Sequence, residues 1–264
     1  MKQIRVADPT VNTKSTSIIS IIDIIQALRE ITRVIDWHTH ILPQMDDGSH
    51  SVEETISMMT AQASQGIKTV IATPHFYAND ETLESFLARR QKSFDTLKSE
   101  LPDNLPDIKL GAEVRYYHGI SRMADLKALR IEGSKLLLLE MPFNTWTEYM
   151  IRELIELSGK SDIQIVLAHI ERYLSLQEPG VWARLYESGI LMQVNARYFT
   201  SIMSKHKAMS LLREGGIHFI GSDCHNMTSR PPQIGKAFEV IQKKLGNSYL
   251  DQMNEYGYSM LGID

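Results

Sequence analysis

The feature that most constrains the fold of this chain is a recurring order of apolar runs and amphipathic stretches. Seven short runs rich in β-branched and aliphatic residues are separated by polar loops and by segments of helical periodicity. The runs occupy residues 33–37, 68–73, 108–114, 135–141, 163–169, 190–195 and 217–222. Because they are continuously apolar rather than alternating, they are typical of parallel strands buried on both faces of a sheet.

This pattern predicts an α/β protein with a closed or nearly closed β/α barrel. A doubly wound open sheet is the alternative, which is disfavoured because no glycine-rich phosphate-binding turn follows the first strand. Amphipathic helices are predicted over 52–63, with Val52, Ile56, Met59 and Ala63 on one face, and over 83–97. Glycines at 66 and 189 lie where a helix would end before the next strand.

The first 33 residues stand apart from this repeating order. They contain the polar segment "VADPTVNTKSTS" and then one possible helix around the apolar run 18–28. We predict an N-terminal extension over 1–33 and a β/α barrel domain over 34–264. The extension is either a tail with a helix packed on the barrel or a dispensable segment ahead of an older start at Val34, and the sequence leaves both open.

Charge and cysteine content exclude several classes of partner. With 28 basic and 32 acidic residues, the chain offers no electrostatic case for nucleic acid or anionic membrane as its main partner. The run 18–28 is too short to span a bilayer, is interrupted by Asp23 and lacks the features of an export signal. The single cysteine excludes an internal disulfide framework and fits a reducing compartment. We expect a cytoplasmic protein without membrane insertion.

Histidines and acids collect at the ends of the apolar runs. His38 and His40 follow the first run with one residue between them, so both imidazoles leave the same face of an extended strand. The whole set is Asp36, His38, His40, His75, Glu113, Glu140, His169, Asp223 and His225. Any one of these residues alone is more often structural than functional. Because strand ends converge at one mouth in a β/α barrel, we expect the set to share a pocket.

The composition of this set points to metal-dependent hydrolysis. Mixed imidazole and carboxylate donors suit divalent manganese, iron or zinc, and three or more acids favour a cluster over a single tetrahedral zinc. One ion lowers the pKa of a water molecule, and the others hold the oxygens of the attacked group. Arg172 and Arg230 follow His169 and His225 closely, and arginines beside such a cluster suit a phosphate. Pairing of both arginines with the acidic rim remains an open alternative.

Six segments follow one another in order from Ile35 to Arg230: "DWHTHILPQMDDG", "GIKTVIATPHFY", "GAEVRY", "LLLLEMP", "VLAHIERY" and "GSDCHNMTSRPP". Together they resemble the polymerase-and-histidinol-phosphatase (PHP) superfamily and, within it, the CpsB-type bacterial protein-tyrosine phosphatases of capsule and exopolysaccharide operons. The resemblance implies a distorted seven-stranded, TIM-like barrel of the PHP type with three divalent metals, often manganese. It also implies that the substrate is phosphotyrosine on a protein, a partner bacterial tyrosine kinase.

The resemblance also implies roles for individual positions. The first metal would be held by His38, His40, Glu113 and Asp223, the second by Glu113, Glu140 and His169, and the third by Asp47, His75 and His225. Asp46 and Asp47 are adjacent and can exchange roles. Arg172 and Arg230 would bind the phosphate. Nothing transfers to residues 1–33.

Other interpretations of the same residues remain. Cys224 and Arg230 have the Cys-x5-Arg spacing of cysteine-nucleophile phosphatases, but the loop between them lacks glycine and two prolines follow it. We therefore expect the cysteine not to be a nucleophile. A histidinol-phosphate-type phosphatase and a nuclease are the rival enzymes, and the acidic charge balance disfavours the nuclease. A non-catalytic, metal-stabilised module that restrains a kinase is the rival outside enzymes.

Overall fold

The strands of the molecule form two parallel sheets, which a computed structural model describes within residues 34–263. Nine strands lie in this range: β1 (Val34–Thr39), β2 (Ile67–Ala72), β3 (His75–Phe76), β4 (Asp107–Leu110), β5 (Glu113–Arg115), β6 (Leu136–Glu140), β7 (Gln164–Leu167), β8 (Leu191–Asn195) and β9 (Phe219–Gly221). One sheet has the order β1-β2-β4 and the other the order β3-β5-β6-β7-β8-β9. The predicted N-terminal extension lies outside the described residues.

Two of the seven predicted runs are each divided into two strands. Pro74 lies between β2 and β3 and has no N–H group with which to continue a sheet ladder. Gly111 lies between β4 and β5. Hydrogen bonds cross both breaks, because Gly111 N donates to Ala72 O at 2.8 Å and Glu113 N donates to Pro74 O at 3.0 Å. The two sheets therefore continue into each other along this line.

The first and last strands also lie side by side. His40 N donates to Cys224 O at 2.9 Å, and Asp223 N donates to His38 O at 2.8 Å. Thr39 and Cys224 form a parallel bridge just beyond β9. The parallel sheet is thus curled, and the segments that leave the ends of β1 and β9 are held next to each other.

The described chain also contains eight α-helices: α1 (Val52–Ser64), α2 (Leu83–Lys98), α3 (Glu148–Ser158), α4 (Pro179–Glu187), α5 (Arg197–Thr200), α6 (Lys205–Arg213), α7 (Ile234–Leu245) and α8 (Asn247–Met260). Side-chain hydroxyls cap two of them, since Ser51 accepts from Glu54 N and Thr82 accepts from Ser85 N. Within residues 34–263, no helix combines the length and the apolar character needed to cross a bilayer.

The residues of each strand divide between two apolar layers by alternation. In β6, Leu137 and Leu139 pack into the larger cluster, which also holds helix residues, whereas Leu136 and Leu138 pack into a smaller cluster between strands. Glu140 is the next residue in the Leu136–Leu138 series. Its side chain therefore leaves the strand on the face of the smaller cluster, at the carboxyl end of the sheet.

The buried face of α1 differs from the predicted one. Of the predicted residues only Met59 is buried, and the buried set is Thr55, Met58, Met59 and Gln62. Hydrogen bonds explain the rotation, because Thr55 Oγ1 donates to Ile41 O at 2.6 Å and Gln62 Nε2 donates to Asp36 Oδ2 at 2.8 Å. Two buried polar side chains thus decide how this helix faces the sheet.

Candidate metal centre

The nine predicted ligands gather at one edge of the curled sheet. His38, His75, Glu113 and Glu140 lie within strands, and His40, Asp47, His169, Asp223 and His225 lie in the segments that follow β1, β7 and β9. Seven of them are buried, whereas His75 is only partly buried and the side chain of Asp47 is 66% exposed. The structure therefore brings all nine into one cluster, with Asp47 on its solvent side.

Four donor atoms of this cluster face one point. Nε2 of His38 lies 3.1 Å from Nε2 of His40, and the two atoms lie 3.2 and 3.3 Å from Oε2 of Glu113. Oδ1 of Asp223 lies 3.6 and 3.5 Å from the same two nitrogens. Donors placed tetrahedrally about 2.1 Å from one ion would be about 3.4 Å apart. The spacing of this group matches that of a metal site.

The other oxygen of Glu113 faces a second group. Oε1 of Glu113 lies 2.9 Å from Nε2 of His169, and Oε1 of Glu140 lies 3.5 Å from the same nitrogen. The two oxygens of Glu113 therefore point to two different sets of donors. Such an arrangement allows one carboxylate to bridge two ions.

A third group lies nearer the surface. Oδ1 of Asp47 lies 3.6 Å from Nε2 of His75 and 3.3 Å from Nε2 of His225. Nε2 of His225 is buried and makes no hydrogen bond to any described residue. An unsatisfied buried nitrogen is costly unless something absent from the polypeptide binds it. The donor types and this unpaired atom fit a divalent metal.

The ionisation of the buried acids also fits a cation. Burial opposes the charge of Glu113, but His38 and hydrogen bonds from the histidines hold its pKa well below the usual value. The pKa of Asp223 is lowered as well, because His38 and His40 outweigh its burial. Burial and then the nearby Glu113 raise the pKa of Glu140. A divalent ion would offset this concentration of buried negative charge.

The backbone is strained at two of these residues. His169 and Asp223 have φ angles of 33° and 53°, in the left-handed region that residues other than glycine seldom adopt. Both lie directly after strand segments, where the turn aims the side chain into the cluster. Gly221 allows β9 to approach β1, since a Cβ atom there would lie 2.5 Å from Cβ of His38. Local geometry is thus arranged around the donors.

Polar residues behind the donors hold them in place, and the sequence did not indicate them. Oε1 of Gln193 accepts from His169 N at 2.6 Å and lies 3.4 Å from Nδ1 of His38. Nδ2 of Asn195 donates to Oδ2 of Asp223 at 2.8 Å. The hydroxyl of Tyr173 lies 3.3 Å from Nδ1 of His169. The available signal was the pair of amide side chains at the end of the run 190–195.

Asp36, which the sequence places among the strand-end acids, does not face the donors. Its carboxylate accepts from Ser222 N at 2.7 Å and from Nε2 of Gln62 at 2.8 Å. Burial raises its pKa against these hydrogen bonds. Asp36 therefore ties β1 to the segment after β9 and to α1.

The two predicted phosphate-binding arginines meet at one ligand of the cluster. Nη2 of Arg172 and Nη2 of Arg230 lie 2.6 and 2.8 Å from the same oxygen, Oδ2 of Asp223. Their side chains are 35% and 37% exposed. Both line a cavity of about 490 Å³ beside Asp223, together with Asn195 and Arg197. This cavity is cationic and borders the cluster.

The cysteine with the nucleophile-like spacing has none of the required surroundings. Cys224 is buried, and burial raises the pKa of its thiol well above the usual value. The backbone N–H groups of Thr228, Ser229 and Arg230 all donate to Oδ1 of Asn226, at 3.0, 2.8 and 3.1 Å. Those groups are therefore not turned toward a phosphate above the thiol.

Comparison with known proteins gives consistent similarities. The family described as capsular polysaccharide synthesis, CpsB/CapC, matches residues 34–257. The tyrosine-protein phosphatase YwqE of Bacillus subtilis is 33% identical over 221 residues, which cover 81% of this chain and 86% of that protein. The tyrosine-protein phosphatase CpsB of Streptococcus pneumoniae is 30% identical over 234 residues, which cover 81% and 91%.

A solved structure resembles the fold over nearly the same range. It comes from work on YwqE from Bacillus subtilis and CpsB from Streptococcus pneumoniae, described there as unique metal-dependent tyrosine phosphatases. The superposition has a TM-score of 0.72 at 27% identity and covers 87% of this chain and 94% of that chain. A chain of an archaeal ribonuclease P structure superposes with a TM-score of 0.54 at 11% identity, which shows likeness of fold alone.

Proposed function

This chain belongs to the CpsB/CapC family of capsular polysaccharide synthesis, and on that premise we propose that it is a metal-dependent protein-tyrosine phosphatase. The observation that carries the proposal is the position of Asp223. Its Oδ1 faces the two histidines of β1, and its Oδ2 accepts from both arginines. Metal-type donors and phosphate-type donors are thus joined at one carboxylate.

The proposed ligands form the three groups seen in the geometry. They are His38, His40, Glu113 and Asp223 for one ion, Glu113, Glu140 and His169 for a second, and Asp47, His75 and His225 for a third. Three manganese ions are proposed, with iron or zinc as substitutes, because imidazole and carboxylate donors are mixed in every group. When bound, such ions supply a water of lowered pKa and positive charge for the phosphate oxygens.

Arg172 and Arg230 would bind the phosphate and offset the charge that grows on its oxygens. Each guanidinium carries donors in a planar fork that matches two phosphate oxygens. In the structure both forks already lie at the wall of the cationic cavity beside Asp223. The polypeptide therefore presents these donors where the transferred group would lie, without a large rearrangement.

The proposal includes several finer statements. The curled sheet would act as a distorted seven-stranded barrel of the PHP type, if each divided strand is counted once. The substrate would be phosphotyrosine on a protein, a bacterial tyrosine kinase that controls capsule or exopolysaccharide synthesis. Catalysis would reside in residues 34–264 and not in the extension over 1–33. The single cysteine supports a cytoplasmic location, because that compartment keeps thiols reduced.

Hydrolysis of a phosphotyrosine peptide beside histidinol phosphate, with and without a strong chelator, tests the proposal. We expect turnover of the peptide, loss of that turnover after metal removal, and recovery on addition of Mn²⁺. Preferential turnover of histidinol phosphate would favour the small-molecule phosphatase instead. Undiminished peptide turnover after complete metal removal would overturn the metal-dependent chemistry.

A further inference from the structure

Two aromatic side chains border the cluster of donors. Phe143, in the loop between β6 and α3, is 47% exposed although its ring is wholly apolar. Its ring stacks on that of His169, with centroids 6.0 Å apart and planes 24° apart. Tyr77, just after β3, stacks in the same way on His75, at 5.2 Å and 26°. We refer to Phe143 and Tyr77 as the aromatic rim.

The two histidines beneath this rim meet at one carboxylate. Nδ1 of His75 lies 3.1 Å from Oε2 of Glu113, and Nε2 of His169 lies 2.9 Å from Oε1 of the same residue. The rings of the aromatic rim are therefore one stacking layer away from the residue at the centre of the donor cluster.

Phe143 is also in contact with the proposed phosphate-binding region. The guanidinium carbons of Arg115 and Arg172 each lie 5.7 Å from the centre of its ring. Arg172 in turn contacts Asp223, and Arg115 contacts Glu140 at 2.9 Å. A group bound to Arg172 would thus lie beside Phe143.

From this arrangement we infer that the aromatic rim binds the ring of an aryl phosphate, with Phe143 as the principal contact. In phosphotyrosine a single ester oxygen separates the phosphorus from the ring. A phosphate held by Arg172 would place that ring next to Phe143, where offset or edge-to-face packing is favourable. Phosphoserine and histidinol phosphate carry no ring at this position. The inference rests on the proposed phosphatase function and adds the residues that select aryl substrates.

Relative turnover of aryl and alkyl substrates is not a sufficient test, because a phenolate leaves more easily than an alkoxide in any active site. Binding of two ligands that are not hydrolysed, phenylphosphonate and methylphosphonate, isolates the contribution of the ring. Calorimetric titration of the manganese-loaded full chain gives both dissociation constants without any turnover. We expect phenylphosphonate to bind about 3- to 10-fold more tightly than methylphosphonate.

Phe143→Ala should remove most of this preference while changing the affinity for methylphosphonate less than about twofold. Phe143→Tyr, which keeps the ring, should retain the preference, and Tyr77→Ala should reduce it by a smaller factor. Tyr186→Ala is the matched control, since Tyr186 is 49% exposed and its ring lies 5.7 Å from that of His218, outside the cluster. This control should keep the wild-type preference.

Two results would overturn the inference. One is an unchanged preference in Phe143→Ala. The other is an equal loss of affinity for both phosphonates, which would mean that Phe143 only positions Arg172 and Arg115. Absence of binding of either phosphonate to the wild-type protein would count against it too. Phosphotyrosine-peptide turnover, measured on the same preparation, decides the proposed function separately, because a ring-dependent preference can persist when that peptide is not hydrolysed.

Discussion

Oδ2 of Asp46 lies 2.7 Å from Nδ1 of His40, while Nε2 of the same ring faces Glu113 and Asp223. The carboxylate of Asp46 also accepts from the backbone N–H groups of Gly48 and His75, both at 2.9 Å. Asp46 therefore supports the histidine from behind, and the adjacent Asp47 is the acid that faces His75 and His225. The two neighbouring acids have different positions.

Asp46→Asn and Asp47→Asn should accordingly have different effects on metal binding. Loss of the carboxylate behind His40 should weaken manganese affinity about 10- to 100-fold without changing the number of ions bound at saturation. Asp47→Asn should lower that number by one. Elemental analysis after titration and dialysis distinguishes the two variants. If Asp46→Asn lost an ion and Asp47→Asn lost none, the roles of the two acids would be reversed.

Replacement of either phosphate-binding arginine should separate substrate binding from metal binding. Arg172→Ala and Arg230→Ala should keep their metal content, because a guanidinium has no lone pair to donate and Asp223 keeps its contact with Asn195. The kcat/KM for a phosphotyrosine peptide should fall about 30- to 1,000-fold. Lysine at either position should restore only part of this loss. Wild-type kcat/KM in both alanine variants would show that the arginines only neutralise Asp223.

The buried thiol should be dispensable for turnover. Cys224→Ser should keep most of the activity, since the pKa of the thiol is raised well above its usual value and no backbone N–H groups surround it as in a phosphate loop. Asp223→Ala, one residue earlier, should lose nearly all activity and part of its metal. Peptide kinetics beside metal analysis provide the check. An inactive Cys224→Ser protein with its full metal content would revive a cysteine mechanism.

Metal-depleted protein should lose stability as the pH falls from about 6.5 to about 4. Burial and the charge of His40 lower the pKa of His225 to about 4 from an ordinary 6.5. Between those values the unfolded chain carries a proton on this imidazole that the folded chain does not, so the free energy of unfolding rises with pH. Burial lowers the pKa of His75 and His169 in the same direction.

His40 acts only above this window. Burial disfavours its charge, but Asp46 raises its pKa to about 10, so its contribution declines as the pH rises above about 6.5, where the unfolded chain loses the proton. Urea unfolding of chelated protein at several pH values measures the slope, and His225→Asn should reduce it. A free energy of unfolding that is constant between about pH 4 and 6.5 would contradict the assignment of these pKa values.

The sequence by itself determined the class of fold and the chemical type of the site. Continuous apolar runs predicted buried parallel strands, and parallel strands bring their carboxyl ends to one edge whatever the details of packing. That is why His75, Glu140 and Asp223 could be expected near one another although they lie far apart in the chain. The separation of His38 and His40 by one residue was enough to predict that their rings meet, because that relation is local.

Tertiary structure decided what depends on register and on loop conformation. Periodicity does not show that Gln193 reaches both His38 and His169, because those contacts depend on how β8 aligns with its neighbours. It also does not distinguish Asp46 from Asp47, since adjacent residues in a loop differ only through the turn that the backbone makes. Local pattern reports the direction of a side chain within its own element, whereas the partner at the end of that direction is fixed only when distant strands and loops pack together.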